Sequence, residues 1–224
     1  MARKRVRRKE DGTLSEVDLR TLLVDVSIQL FARSSYDNTS VQNICDSAGV
    51  TKGAFYHYFE SKEAALSEIY GRMFRLQMTQ LEEISDSDAE VLDRLRQIAK
   101  GVVTSSLERI DEATVFWRSL PSLSPEAQHE IRVERRKYHL KLRSLIEQGQ
   151  REGSVRGDIS ADMLINFYYG SVHQLDAWFH TDGPLSTEEV GDCYSELFIS
   201  ILTGGPTRTD SPSGGTRHAS NIEP

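Results

Sequence analysis

Residues 39–62, TSVQNICDSAGVTKGAFYHYFESK, constrain the fold more than any other stretch of the chain. Two short helical patterns lie either side of Gly49, a residue type that readily takes the left-handed conformation of a tight helix-ending turn. Thr39 or Ser40 can cap the first helix, and Gln42, three residues after Thr39, completes a capping box. Ile44, Cys45 and Ala48 form an apolar face at helical spacing. Thr51 caps the second helix, KGAFYHYF. Around it Phe55, Tyr58 and Phe59 fall on one side, and Gly53, Ala54, Tyr56 and His57 on the other. Two helices across a short Gly-containing turn make a helix-turn-helix, whose second helix enters the major groove of DNA.

The outward side suits such a reader. A Gly inside a helix costs about 1 kcal/mol relative to Ala, so Gly53 calls for a reason, and close approach of the backbone to base edges is one. Ala54 can meet a thymine methyl. Lys52 and Lys62 bracket the helix, and each can neutralise a phosphate. Tyr56 offers a hydroxyl and a flat apolar ring. A surface helix hairpin without a partner is the plainer alternative, but cap, turn and small-faced helix agree with one another.

The run GVTKGAFYHYFESKEAAL, preceded by LRTLLVDVSIQLFARSSYDNTS, resembles the recognition helix, hinge and preceding helix of the TetR family of bacterial transcriptional regulators. The specific match covers roughly residues 16–70, and beyond it the likeness is architectural. The resemblance implies an all-α chain: a three-helix helix-turn-helix DNA-binding domain, then a helical ligand-binding and dimerisation domain. It also implies operator contacts from Gln42, Thr51, Lys52, Gly53, Ala54, Tyr56, His57 and Lys62. Cys45 stands where Ala is usual in the family, and Ser34-Ser35 where a Gly often sits. Ala54, often Thr or Ser there, removes one possible hydrogen bond.

The net charge of −7 and pI of 5.4 would argue against nucleic acid if charge were spread evenly. Residues 1–60, however, hold 9 Lys/Arg against 8 Asp/Glu, whereas the rest hold 18 against 26. An acidic body with a basic end directs a polyanion to that end. Six of the first nine residues are Lys or Arg, so residues 1–13 read as a flexible basic arm that tracks phosphates or enters a minor groove, or equally as a solvated disordered tail that adds only general electrostatic attraction. Cys45 and Cys193 sit on apolar helical faces and read as buried, inert thiols. No apolar run reaches the ~18 residues of a membrane span, and no signal-peptide pattern opens the chain. A cytoplasmic protein is expected.

Along the chain, Ser15 opens a first helix carrying Leu19, Leu22, Leu23, Val26, Ile28, Leu30 and Phe31. With the helix-turn-helix it makes a DNA-binding domain at residues 14–60, small enough to need support from the helices beyond it. Residues 61–203 are the ligand-binding and dimerisation domain. There Ser61 caps a helix over residues 62–84, the lever between the two halves, and Asp88 starts another. A shorter helix near residues 112–120 holds Phe116 and Trp117. Ser124-Pro125 opens a long charged helix that stops at Gly153. Ser160 opens a single helix to about residue 180, and Ser186 with Glu189 boxes the last helix, stopped by Gly204-Gly205. Residues 204–224, rich in Gly, Pro, Ser and Thr, read as a disordered tail. No strand is required.

The last two helices have apolar faces, Phe167 to Phe179 and Tyr194 to Leu202, wider than one neighbour needs. A two-fold copy can bury the excess, giving a homodimer and an inverted-repeat operator. The resemblance implies the same helices as the interface. Phe116, Trp117, Tyr168, Tyr169, His173 and Trp178 are candidates for an apolar effector pocket, although each reads singly as core. Residues 145–205 are similar to regulators that sense acyl-CoA thioesters, and Arg118, Arg132, Arg135 and Arg136 can pair with a CoA phosphate or simply form a wet face. His173, Asp176 and His180, three and four residues apart, would share a face of a continuous helix, but a metal site wants further ligands. No metal or cofactor is assigned. The chain shows no P-loop, dinucleotide fingerprint, nucleophile elbow or zinc-protease motif, so it is not expected to be an enzyme. The expected function is a homodimeric repressor that a small-molecule effector releases from palindromic double-stranded DNA. A regulator without an effector, or an activator, fits the same residues. A helical enzyme using His173 and Asp176 is a further alternative.

Overall fold

In the computed structural model residues 16–204 are described, and every regular element among them is helical. The basic arm, Ser15 and all of the tail but Gly204 lie outside the described residues. In order the helices are α1 (Glu16–Ser34), α2 (Val41–Ala48), α3 (Lys52–Tyr58), α4 (Lys62–Ser85) and α5 (Val91–Glu108). After them come α6 (Ile110–Arg118), a 3-10 turn (Leu120–Ser122), α7 (Pro125–Glu152), α8 (Ala161–Val172), α9 (Leu175–Trp178) and α10 (Thr187–Thr203). No described helix is long and apolar enough to cross a membrane.

Local chemistry sets most boundaries. The hydroxyls of Thr51, Ser61, Ser124, Ser160 and Ser186 each accept the backbone N–H three residues on, which satisfies one of the orphan donors of a helix start. Gly49 ends α2 with φ 69°. Of the two expected caps of α2, Ser40 serves. The box differs from expectation: Asn43, not Gln42, closes it, its Oδ1 accepting Ser40 N–H at 2.9 Å. Thr39 is buried, and its hydroxyl donates to Ser35 O at 2.8 Å, closing the α1–α2 turn. α5 begins at Val91 after a turn through Asp88. Cys193 is exposed, whereas Cys45 is buried as expected.

Two apolar clusters hold the chain. One joins Leu23, Phe31, Ile44, Phe55 and Phe59 to Ile69 and Met73 of α4, to Val115 and Phe116 of α6, and to Ile131 of α7. The helix-turn-helix therefore shares its core with three body helices, as expected of a module too small to bury a core alone. The other cluster joins α5, α7, α8 and α10 through Leu95, Val103, Leu142, Ile146, Ile165 and Leu202.

The expected single helix from Ser160 breaks after Val172. His173 N–H still reaches Tyr169 O at 2.9 Å, but Gln174 N–H tightens to Ser171 O at 3.2 Å. Three residues beyond His173, Arg118 of α6 holds the Asp176 carboxylate at 2.7 Å. The break separates His173, Asp176 and His180 onto three segments, with Asp176 engaged by Arg118. Their supposed common face is thus lost.

Ser35, just past α1, has φ 68°, a conformation that costs an L-residue roughly 1–2 kcal/mol. Ser35→Gly should therefore stabilise the chain by about 1 kcal/mol and raise Tm by about 2–4 °C. Calorimetry checks this. An unchanged or lower Tm would mean that losing the Asn38 amide bond to Ser35 Oγ, at 3.1 Å, outweighs the relief.

Candidate nucleic-acid interface and adjoining cavity

α3 stands with its apolar side down. Phe55 and Phe59 are buried and tilt against each other, with ring centroids 5.6 Å apart. On the outer side Thr51, Lys52, Gly53 and His57 are exposed, Ala54 is half-buried, and Tyr56 is 52% exposed. A Cβ built at Gly53 would meet only Thr51 Oγ1, at 3.7 Å, so the α3 backbone is open at this point. Tyr56 rests edge-on against Phe55 with centroids 5.5 Å apart. Gln42, on α2, is exposed and donates to Asp46 Oδ1 at 2.7 Å. Six of the eight expected positions thus fall on the start and outer side of α3, and a seventh, Gln42, is exposed on α2.

Lys62 is the exception. Its ammonium donates to Tyr36 O at 2.7 Å and Thr39 O at 2.8 Å and lies 3.9 Å from the centre of the Tyr36 ring. Burial lowers its pKa from the ordinary value. Lys62 therefore pins the start of α4 to the α1–α2 turn, and only one of its three donors remains for a phosphate. A sequence pattern does not show that a lysine beside a helix cap will find two carbonyls across the turn.

Behind this head α4, α6, α7 and α8 line a half-open cavity of about 340 Å³, at the small end of ligand sites. α4 supplies Phe74 and Gln77, and α6 supplies Phe116 and Trp117. α7 supplies Arg135, Arg136, Tyr138 and His139, and the α8 stretch supplies Asn166, Tyr169, Gly170 and His173. Four of the six expected pocket residues are there. Tyr168 is not: it points to the other side, and its hydroxyl donates to Ala99 O at 2.7 Å in the α5 core. Trp178 is not either, since the break after Val172 carries it to the surface beside Tyr194. Sequence reasoning does not find Phe74, Gln77, Tyr138, His139 and Asn166, because helical spacing alone does not show which faces of α4 and α7 turn toward α8.

The cavity is aromatic with basic groups. Burial pushes the Tyr138 hydroxyl up to about 12, against a smaller downward effect of its hydrogen bond with Tyr169. The Arg135 guanidinium lies 6.0 Å from the Phe116 ring centre and 5.7 Å from that of Trp117, within cation–π range. The neighbouring carboxylates have other partners: Asp162 takes His139 at 2.6 Å and Arg143 at 3.4 Å, and Asp176 takes Arg118. Of the four candidate arginines, then, Arg118 is paired, Arg132 donates to Gln128, and only Arg135 and Arg136 line the cavity.

On α8 and α10 the outermost apolar side chains are Met163, Phe167 and Leu197, and Trp178 and Leu185, between those helices in the chain, are exposed as well. Phe167 is 63% and Leu197 59% exposed. Large exposed apolar side chains mark an interaction face where they form a contiguous patch.

Comparison with known proteins agrees with this architecture. Residues 23–69 match the model of bacterial regulatory proteins of the tetR family, and residues 88–202 match the tetracyclin repressor-like C-terminal domain. The chain is 28% identical over 202 residues to the HTH-type transcriptional repressor KstR2 of Mycolicibacterium smegmatis, covering 88% of this chain and 93% of that one. The structure of the ketosteroid transcriptional regulator KstR2 of Mycobacterium tuberculosis superposes with a TM-score of 0.76 at 24% identity, over 82% of this chain and 94% of that one. AibR, solved in complex with isovaleryl coenzyme A and operator DNA, superposes with a TM-score of 0.70 at 22% identity, over 83% and 98% of the two chains. At these identities the two structures speak for the fold alone.

Proposed function

The chain belongs to the TetR family of bacterial regulatory proteins, and from that premise we propose that it is a repressor, acting as a two-fold dimer, that a small molecule releases from an inverted-repeat operator. It is a helix-turn-helix transcriptional regulator and not an enzyme. The observation that carries the reading is the outer side of α3, where an open glycine backbone is flanked by Lys52 and Tyr56 over a fully buried Phe55.

In this reading residues 14–60 read the duplex, residues 61–203 sense and dimerise, and the basic arm adds sequence-independent attraction. Tyr56, His57 and Ala54 meet base edges across the open Gly53, while Lys52, Thr51 and Gln42 hold phosphates. Lys62 keeps α2 in place and has one donor left for a phosphate. Met163, Phe167 and Leu197 meet their two-fold copies. DNA favours one separation of the two α3 helices, and the effector favours another.

Two helices connect the cavity to the reader. α4 touches the α1–α2 turn through Lys62 and the cavity through Phe74 and Gln77. α6 presents Phe116 and Trp117 to the cavity and packs against α1, with Val115 in the head core. To move the population substantially, the effector must prefer its state by a few kcal/mol.

The aromatic wall with Arg135 and Arg136 supports an effector with an apolar body and an anionic end, such as an acyl-CoA thioester. The AibR complex with isovaleryl coenzyme A is a precedent within the fold. Thermal shift against coenzyme A esters and their free acids tests this. A ligand at a hundred times its Kd should raise Tm by about 5–10 °C and release labelled operator. If no thioester shifts Tm, the acyl-CoA assignment falls.

A further inference from the structure

Three helices meet beside the reading head: α1 packs on both α4 and α6, and α4 packs on α6. One guanidinium links all three. Arg72 of α4 donates through Nη1 to Asp25 Oδ1 of α1 at 2.9 Å, and its Nε lies 3.6 Å from Glu112 Oε1 of α6. The first contact is a hydrogen bond. The second is an attraction only, since charge-assisted bonds close to about 2.7–2.9 Å. Glu112 is 5% exposed, and its other described cation, Arg109, stands 3.5 Å from Oε2. A carboxylate taken out of water is costly unless it is both paired and well bonded. Glu112 is buried between two arginines and gripped closely by neither, so it has attraction for Arg72 to spare while the head holds Arg72. A third carboxylate near Arg72, Glu68, already takes Arg20 of α1 at 3.0 Å and Arg75 at 3.2 Å.

We propose that Arg72 is shared between the reading head and the cavity wall, and that its division between Asp25 and Glu112 sets how firmly the head is braced for the operator. On Asp25 it braces α1 against α4, and α1 carries α2 and α3 through the core of Leu23, Phe31, Ile44 and Phe55. A head already held in one pose loses less freedom when it docks on the duplex. On Glu112 the same fork leaves α1 and closes α4 on α6. Glu112 lies one turn before Phe116, which lines the cavity together with Trp117. A ligand that moves this wall toward α4 therefore draws the fork off the head, and the two sites become coupled through one contact. That last step rests on reading the cavity as the effector site; the sharing of Arg72 does not.

The test uses the full chain and the duplex that the native protein selects from a random pool, with no ligand added. Asp25→Asn hands Arg72 to Glu112 and should weaken operator binding roughly threefold to tenfold. Net charge alone predicts the reverse, since a less acidic head attracts DNA more strongly. Glu112→Gln leaves Arg72 wholly to Asp25 and should tighten binding about twofold or more. Among the described ion pairs, positions 25 and 112 are joined only through Arg72. In an Arg72→Gln background both effects should therefore shrink to the small rise that loss of a negative charge gives. The Asp25 and Arg72 side chains are 49% and 36% exposed, so Asp25→Asn should hardly move the melting curve.

Unchanged or tighter binding by Asp25→Asn overturns the proposal, as does a Glu112→Gln variant that fails to tighten it. So does an Asp25→Asn effect that is as large without Arg72 as with it. A loss of affinity that tracks a fall in Tm across the set means that the pair only holds the fold together, which overturns the proposal too. If Arg72→Gln does not fold, Arg72→Lys serves as the background, because lysine keeps the charge but lacks the planar fork that reaches two carboxylates. No ligand enters these measurements. A chain that shows the Arg72 effects but shifts with no thioester keeps the sharing and sinks the effector reading, so the two failures are distinguishable.

Discussion

The double variant Lys52→Ala/Tyr56→Ala should lose roughly thirty- to a thousand-fold in operator affinity, corresponding to about 2–4 kcal/mol for one phosphate and one base edge per half-site. Its slope of log affinity against log salt should also become shallower, by about one unit for each phosphate no longer neutralised. Both side chains are exposed, and the α3 core beneath them is Phe55 and Phe59, so the melting curve should hardly move. Fluorescence anisotropy at several salt concentrations, on a duplex selected by the native protein from a random pool, measures both quantities. Lys52→Ala alone should weaken all sequences nearly uniformly, and Tyr56→Ala alone should relax preference at one position. Native affinity in the double variant would remove α3 from the interface.

Phe167→Asp/Leu197→Asp should convert the dimer to a monomer in sedimentation at micromolar concentration. It should also reduce operator affinity by a hundredfold or more, because linking two heads raises avidity by about 10²–10⁴ over one. The two side chains are the most exposed apolar groups of α8 and α10 apart from Met163, and burying a carboxylate against its own two-fold copy is strongly unfavourable. The free chain should stay folded, since neither position belongs to the apolar clusters. A native protein that sediments as a monomer, or a variant that still dimerises, would place the interface elsewhere or nowhere.

How far the sequence is legible depends on the range of each interaction. Caps at Thr51, Ser61, Ser124, Ser160 and Ser186 depend on a hydroxyl and an N–H three residues away, so local sequence suffices to place them. The same holds for Gly49 and Gly153, which adopt φ 69° and 78°. Between Thr39 and Ser40, the two expected caps, Ser40 takes the role because the Thr39 hydroxyl turns inward to the Ser35 and Leu30 carbonyls, a choice that the α1–α2 turn makes and the capping pattern does not. Lys62 likewise finds carbonyls 26 and 23 positions away.

In the cavity, Tyr168 and Tyr169 are adjacent, and residue type does not say which one faces α7. Packing of α8 against α5 decides, since Tyr168 reaches Ala99 O. The break after Val172 comes with a tightened backbone bond and with a nearby carboxylate, Asp176, held by Arg118 from 58 positions away. It removes Trp178 from the pocket and disperses the supposed metal-binding face. The apolar pattern of its helix suggests burial for Cys193, yet it lies on the outer side of α10, as Leu197 does. Monomer periodicity alone does not separate a core face from a face meant for a second copy.

The most direct measurement is a structure of the protein on its selected duplex. The account predicts two α3 helices in successive major grooves about 34–36 Å apart on one side of the DNA, with Gly53, Ala54 and Tyr56 against base edges and Lys52 on phosphate. A complex in which the outer side of α3 faces away from the bases, with the duplex held elsewhere on the chain, would contradict it.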